Sequence, residues 1–148
     1  MTELERAKQI ITENRYMTIA TASFHGEPWS TPVFMLVDDE YNFYWTSYTD
    51  TLHSKLLESN NRVAITIFDS SAPSGKGGAV YIMGKADVIE EEKELGKIIT
   101  LFYERKGKPS KKAEEFMGAS ERRFYKAVPE KVWINADGVN KRIEVNLR

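Results

Sequence analysis

Residues 44–63, YWTSYTDTLHSKLLESNNRV, lead from an aromatic strand pattern into a short helix pattern. Hydroxyl side chains gather where the strand ends, at Thr46, Ser47 and Thr51. A purely structural turn needs less hydrogen-bonding capacity than this. The stretch therefore raises the question of which group these side chains bind.

The helix pattern places His53 and Lys55 in its first turns, beside those hydroxyl groups. Free backbone N–H groups and the helix dipole attract anions at a helix start. These residues therefore predict a phosphate-binding cradle. The alternative is a buried histidine bonded to a backbone carbonyl and a solvated lysine, because polar helix caps are common without any further function.

A helical wheel predicts which side of this helix faces the core. Leu52, Leu56 and Leu57 bracket an arc of about 140°, and His53 lies inside that arc. Ser54 is expected to point away from the core. The histidine is thus predicted to share the apolar side of the helix.

Bulk composition favours an ordinary globular protein of one domain, residues 1–148. The chain is 41% hydrophobic and 29% charged, with a formal net charge of −1, which does not indicate a nucleic-acid or membrane partner. It contains no cysteine, which excludes disulfides, thiolate catalysis and cysteine-held metal centres.

The first residues of the chain are informative about the cellular compartment of the protein. Charged residues at Glu3, Glu5, Arg6 and Lys8 occupy positions where a signal peptide would need an apolar core. No stretch approaches the ~20 apolar residues of a membrane span. A cytoplasmic protein is the expectation.

The remaining patterns predict six or seven strands and four helical segments. Strands are expected over 17–22, 30–37, 41–47, 62–68, 79–89, 124–135 and 139–147, with a turn at 136–138. Helices are expected over 3–14, 51–59, 91–106 and 110–117. Strands joined by short turns form antiparallel sheets, and this many usually close into a barrel. The predicted class is mainly β with peripheral helices, with Pro32 at a sheet edge or bulge.

Other candidate motifs favour structural interpretations. The Gly-rich loop 69–78 lacks the spacing of a phosphate loop and is predicted to connect two strands. The basic run 105–112 has no interleaved aromatic and is predicted to be a solvated connection between helices. His25 and His53 are the only histidines, and no metal-ligand spacing or nucleophile elbow accompanies them. No catalytic or metal-binding residue is assigned.

Several short motifs, taken in order, resemble the pyridoxamine 5′-phosphate oxidase-like family of FMN-binding split barrels. The motifs are TIAT (18–21), GEP (26–28), STPVF (30–34), FYWTS (43–47), HSK (53–55), NNRVA (60–64) and GKA (84–86). The resemblance covers about residues 15–92, and RFY (123–125) and VWIN (132–135) add support.

The resemblance implies a six-stranded antiparallel split barrel that forms a homodimer, with two FMN sites at the subunit interface. The second strand would lie along the isoalloxazine, Thr46 and Ser47 would hold the phosphate and ribityl end, and Trp133 would lie near the partner's flavin. The implied cofactor-binding residues are Thr31, Val33, Trp45, Thr46, Ser47, His53, Lys55 and Trp133.

The sequence also departs from true pyridoxamine phosphate oxidases. It has no Arg or Lys between Trp29 and Glu40, where they carry R-x-x-L-L-K, and Leu52 and His53 stand where they carry Arg-Lys. Residues 141–145, KRIEV, lack the substrate signature R-L-H-D-R. The resemblance therefore implies an FMN-binding oxidoreductase for another small molecule or electron donor, and not vitamin B6 oxidation.

Two other functions stay open at this stage. One is a non-enzymatic protein that stores or senses FMN, haem or the deazaflavin F420. Haem would need His25 or His53 as its axial ligand, and the acidic tail of F420 would need the basic run 105–112. The other is a structural homodimer whose cofactor site has decayed.

Overall fold

The computed structural model describes residues 1–135 and 140–148 and consists of one antiparallel sheet with helices around it. The strands are β1 (Tyr16–Ala22), β2 (Pro28–Phe34), β3 (Leu36–Val37), β4 (Phe43–Tyr48), β5 (Arg62–Phe68), β6 (Ala79–Val88), β7 (Arg122–Asn135) and β8 (Arg142–Val145). The helices are α1 (Glu3–Glu13), α2 (Leu52–Ser59) and α3 (Glu92–Lys106), with a short 3₁₀ helix at Ala113–Phe116.

The strand order is β2-β1-β5-β6-β7-β4-β3, and β8 also pairs with β7. All described pairings are antiparallel, which confirms the mainly β class and the antiparallel sheet. β2 forms an edge of the described sheet, as Pro32 predicted. The long strand β7 pairs with β4 near its start and with β8 near its end, so it connects β4 and β3 to the rest of the sheet.

The described strands number eight, not the six or seven expected. The strand predicted over 30–37 is two strands, because Met35 leaves the ladder and its side chain is fully buried. β2 consequently pairs with β1 while β3 pairs with β4.

Most other boundaries fall within three residues of the predictions. The helix predicted over 110–117 is only the short 3₁₀ helix, the strand predicted over 139–147 is represented by β8, and the Gly-rich loop connects β5 to β6 as predicted. The predicted turn at 136–138 lies outside the described residues.

Two apolar clusters hold the sheet and helices together. The first lies inside the curved sheet, where alternate residues of β1 and β5, such as Ile19 and Ile65, pack beneath Ile11 of α1. The second lies on the outer face, where Phe102 of α3 packs against Phe124 of β7. α3 therefore covers one half of the outer face. No helix among the described residues is long and apolar enough to cross a membrane.

The other half of the outer face carries exposed or half-buried residues, and we call it the open face. The strand register places one transverse row on it, Pro32, Thr18, Thr66, Tyr81 and Trp133. On β1, β5, β6 and β7, the residues directly before and after each member of this row are buried in the first cluster. The open face is thus the side of β2, β1, β5, β6 and the end of β7 that faces away from the core.

Candidate functional site

A cleft opens where β2, β4, the start of α2 and the end of α3 meet, and we call it the β2–α2 cleft. Its volume is about 330 Å³, within the ~300–1,000 Å³ typical of small-molecule sites. The lining residues are Pro32, Val33, Phe34, Thr46, Ser47, Tyr48, Thr51, His53, Phe102 and Lys106. Hollows of about 470 and 720 Å³ elsewhere on the surface contain none of the predicted cofactor-binding residues, so the chemistry favours the smaller cleft.

His53 is the central polar residue of this cleft. Its side chain is buried, and its Nε2 atom lies 2.7 Å from Ser47 Oγ and 3.3 Å from Thr51 Oγ1. Burial lowers the pKa of His53 below its usual value, which favours the neutral ring at neutral pH. A neutral imidazole has one donor and one acceptor nitrogen. The ring is therefore oriented by hydroxyl groups on both sides of the turn between β4 and α2.

Thr51 is the N-cap residue of α2, and the N-terminus that it caps is suited to binding an anion. Its Oγ1 donates to the carbonyl of Tyr48 and accepts from the N–H of Ser54. The N–H groups of Leu52 and His53 have no partner inside the helix, because the first turn offers no carbonyl to them. These donors, together with the helix dipole, favour negative charge at this end of the cleft.

Ser54 corrects the helical-wheel expectation. Its side chain is buried, whereas Leu52 is 47% exposed. The Ser54 hydroxyl oxygen lies 2.7 Å from Thr51 Oγ1, and Ser54 lines a small hollow together with Tyr125 of β7. The helix can turn this polar side toward the sheet because the buried hydroxyl groups satisfy one another. A wheel based on the leucines alone could not show this.

Two predicted residues of β4 occupy different environments. Thr46 lines the cleft, and its hydroxyl donates to the carbonyl of Arg123 at 2.9 Å. Trp45 is fully buried in the first cluster, where its ring stacks on Tyr125 with 5.4 Å between centroids. Trp45 therefore supports the floor of the site and does not line the cleft.

The structure also separates other predicted residues from the cleft. Lys55 is exposed and does not line it, and Thr31 is half-buried next to the lining residue Pro32. Trp133 lies on the open face, four strands away from Pro32. Trp133 is not among the residues that line the cleft, so it is not part of this site within one chain.

Sequence reasoning missed Lys106 and Phe102 of α3. The Lys106 Nζ atom lies 5.8 Å from the ring centroid of Phe34 and 5.7 Å from that of Phe102. The run that begins at residue 105 had been predicted to be solvated. The available signal was the spacing of Phe102 and Lys106, which places residues four apart on the same side of a helix.

The arrangement suits binding of an anion and a flat ring more than independent catalysis. Hydroxyl groups, the histidine, helix N–H groups and a lysine provide donors, while Val33, Phe34 and Phe102 provide apolar surface. This donor set fits the phosphate and ribityl groups of FMN. Ser47 and His53 resemble two members of a hydrolytic triad, but the hydrogen bonds of the His53 ring with the described residues involve hydroxyl groups and no carboxylate. The described part of the chain also holds no cluster of three or more metal-ligating side chains.

Known proteins share this fold. The model of the pyridoxamine 5′-phosphate oxidase family matches residues 4–136. The haem-binding protein from Mycobacterium smegmatis is similar in structure, with a TM-score of 0.77 and 19% identity over 98% of this chain and 58% of that one. HutZ, the haem storage protein from Vibrio cholerae, has a TM-score of 0.71 and 17% identity over 89% of this chain and 94% of its own.

A third structure, ChuZ from Campylobacter jejuni, has a TM-score of 0.75 and 13% identity. The match covers 93% of this chain and 56% of ChuZ, so this chain spans little more than half of that protein and of the Mycobacterium protein. Identities this low show the fold alone. No curated protein sequence matches the chain significantly. The family match extends over most of the chain and agrees with the fold, so this protein belongs to the pyridoxamine 5′-phosphate oxidase-like family of split barrels.

Proposed function

We propose that this protein binds FMN in the β2–α2 cleft and uses it in an oxidoreductase reaction on a small molecule. The observation that carries this proposal is the contact between His53 and Ser47 at the start of α2. It places the imidazole of His53, a hydroxyl group and free helix N–H groups at one end of a cleft that also contains apolar surface and one lysine, Lys106. Such an end suits a phosphate group.

The residues of the cleft have separate roles in this proposal. Ser47 and Thr51 orient His53, which donates a hydrogen bond to the phosphate. The edge strand β2, which contributes Val33 and Phe34 to the lining of the cleft, lies along the flavin ring and excludes water from one side of it. Bound flavin supplies hydride or electron transfer. The protein therefore needs to bind and orient the cofactor, and this chemistry requires no acid–base pair from the chain.

A homodimer completes the proposal. The open face presents Met83, which is 41% exposed, together with the transverse row that ends at Trp133. Trp133 and Pro32 stand at opposite ends of that row, and Trp133 does not line the cleft of its own chain. A two-fold axis through the open face could place Trp133 beside the cleft of a second copy. The expectation that Trp133 lies near the partner's flavin is therefore part of this proposal.

The first test is an absorbance spectrum after FMN has been added and the excess removed. Flavin bands near ~370 and ~450 nm that stay with the protein are the expected result. Release of free FMN from the denatured protein would identify the ligand. Protein that retains no FMN under these conditions would contradict the proposal.

Haem is the second candidate, because two of the similar structures are described as haem-binding and haem-storage proteins. His53 is poorly placed as an axial ligand, since its Nε2 already contacts two hydroxyl groups. His25 is exposed in the turn between β1 and β2 and is free to approach a ligand. A haem titration that produces a Soret band, lost in His25→Ala and kept in His53→Ala, would favour haem over flavin.

A further inference from the structure

The positive charge at the β2–α2 cleft comes from a part of the chain far from the helix that forms the phosphate end. Lys106, the last residue of α3, is the lysine that lines the cleft. Both lysines are exposed, but Lys55, which lies on α2 itself, does not line the cleft. The sequence made Lys55 the expected phosphate partner, whereas Lys106 is the lysine that lines the cleft.

The end of α3 fixes where Lys106 stands. Gly107 adopts a left-handed conformation, with φ of 73°, and ends the helix directly after Lys106. The preceding residue, Arg105, donates to the carbonyl groups of Met35 and Asn14, both at 2.8 Å. Arg105 therefore anchors the end of α3 against the segment around β2. Because Arg105 fixes the end of α3, the next residue, Lys106, is held at the mouth of the cleft.

The surroundings of the Lys106 amino group favour an external anion. Its Nζ atom lies over the rings of Phe34 and Phe102, which attract a cation but accept no conventional hydrogen bond. The ion pairs found among the described residues do not include it. A lysine ammonium has three donors, and here they remain available to a ligand in the cleft.

We propose that Lys106, and not Lys55, neutralises the phosphate of the ligand held in the β2–α2 cleft. This inference rests on the proposed function, because it assigns a residue to the same FMN site. It gives the cleft a fixed charge from α3 that complements His53 on α2. The site is then selective for a phosphorylated flavin over riboflavin, which has the same ring without the phosphate.

The test compares FMN with riboflavin, using the binding constants of both ligands for three variants. Lys106→Gln keeps most of the stem that packs on Phe34 and removes the charge. We expect it to weaken FMN binding by about tenfold, as for the loss of one charge-assisted hydrogen bond, and to leave riboflavin binding unchanged. Lys106→Arg should retain the preference for FMN. The matched control, Lys55→Gln, should change neither ligand.

The outcomes separate this inference from the proposed function. Suppose that the wild-type protein prefers FMN. If Lys106→Gln keeps this preference, or loses affinity for both flavins equally, the assignment of Lys106 is overturned while the proposed function stands. Selective loss of FMN binding in Lys55→Gln would overturn that assignment as well. A wild-type protein that binds neither flavin would overturn the proposed function and this assignment together.

Discussion

The Nε2 atom of His53 lies 2.7 Å from the hydroxyl oxygen of Ser47, and this contact joins the end of β4 to the start of α2. Thr51 approaches the same nitrogen from the helix cap at 3.3 Å. The imidazole is therefore held between two elements of the fold while its side chain is buried. This relationship forms the polar end of the proposed cofactor site, and it also affects how the protein responds to pH.

Replacing the histidine should weaken cofactor binding. His53→Gln keeps a hydrogen-bond donor of similar reach but cannot become cationic beside a phosphate. We expect FMN affinity to fall by about fivefold, because glutamine keeps a hydrogen bond but loses the attraction between an imidazolium and the phosphate, which is about 1 kcal/mol. FMN fluorescence quenching in an equilibrium titration measures this. Unchanged affinity would show that His53 does not contact the phosphate.

Stability should decrease in mild acid because of the same residue. Burial lowers the pKa of His53 in the folded protein, whereas in the unfolded chain it is ~6.5. Below ~6.5 the unfolded chain binds a proton that the folded chain does not, so acidification favours unfolding until the pH falls below the folded-state pKa. Above ~6.5 this contribution is constant.

Urea denaturation at a series of pH values from ~8 to ~5 tests this pH dependence. The His53→Asn variant should show a weaker loss of unfolding free energy over the same range, since it has no group to titrate there. Equal pH slopes for wild type and variant would contradict the assignment. Cofactor-free protein is the appropriate sample, because a bound phosphate would itself change the pKa of His53.

The buried hydroxyl of Ser54 should contribute to stability. Ser54→Ala removes a buried hydroxyl group that lies 2.7 Å from the Oγ1 atom of the Thr51 cap. We expect a loss of about 1–2 kcal/mol in the free energy of unfolding. Ser59 on the same helix is the matched control, because it is exposed and bonds only to the carbonyl of Leu56.

The Ser59→Ala change should cost no more than about 0.5 kcal/mol, as is usual for surface substitutions. Chemical denaturation of both variants gives the comparison. Equal effects at the two serines would show that the position of Ser54 against the sheet is not important for stability.

Gly84 should tolerate no side chain. It lies at the irregularity between β6 and β7, where a Cβ atom would overlap the backbone carbonyl of Val128. Backbone cannot move aside cheaply, so Gly84→Ala should destabilise the protein by about 3 kcal/mol. Gly96 in α3 has open space around it, and Gly96→Ala should stabilise by about 0.5–1 kcal/mol. Thermal unfolding of both variants tests this, and a stable Gly84→Ala protein would refute the close approach of the two strands.

Local patterns predicted much of the fold. The bounds of β5 agree with the prediction because Val63, Ile65 and Ile67 alternate with residues on the other face of the strand. Helical spacing likewise places four apolar residues on one side of α3, and all four belong to the second cluster: Leu95, Ile98, Ile99 and Phe102. Met35 escaped prediction, since its departure from the ladder depends on which neighbours β2 and β3 find.

The candidate site was predictable only where its residues are close in sequence. Ser47 and His53 are six positions apart, and the strand–helix pattern was enough to bring them together. Lys106 reaches the cleft through the packing of α3 on the outer face, which no local pattern specifies. Ser54 was misplaced because hydroxyl groups that satisfy each other cannot be recognised from a helical wheel.

The central claim is that this chain carries an FMN site, and the most direct measurement is the stoichiometry of FMN retained after reconstitution and gel filtration. Absorbance of the eluted protein near ~450 nm gives the flavin content, and the elution volume gives the size of the particle. The account predicts one FMN per chain, eluting with a dimer, and a marked loss of flavin from His53→Gln protein. Protein that elutes without flavin, or that retains as much flavin after His53 has been replaced, would contradict it.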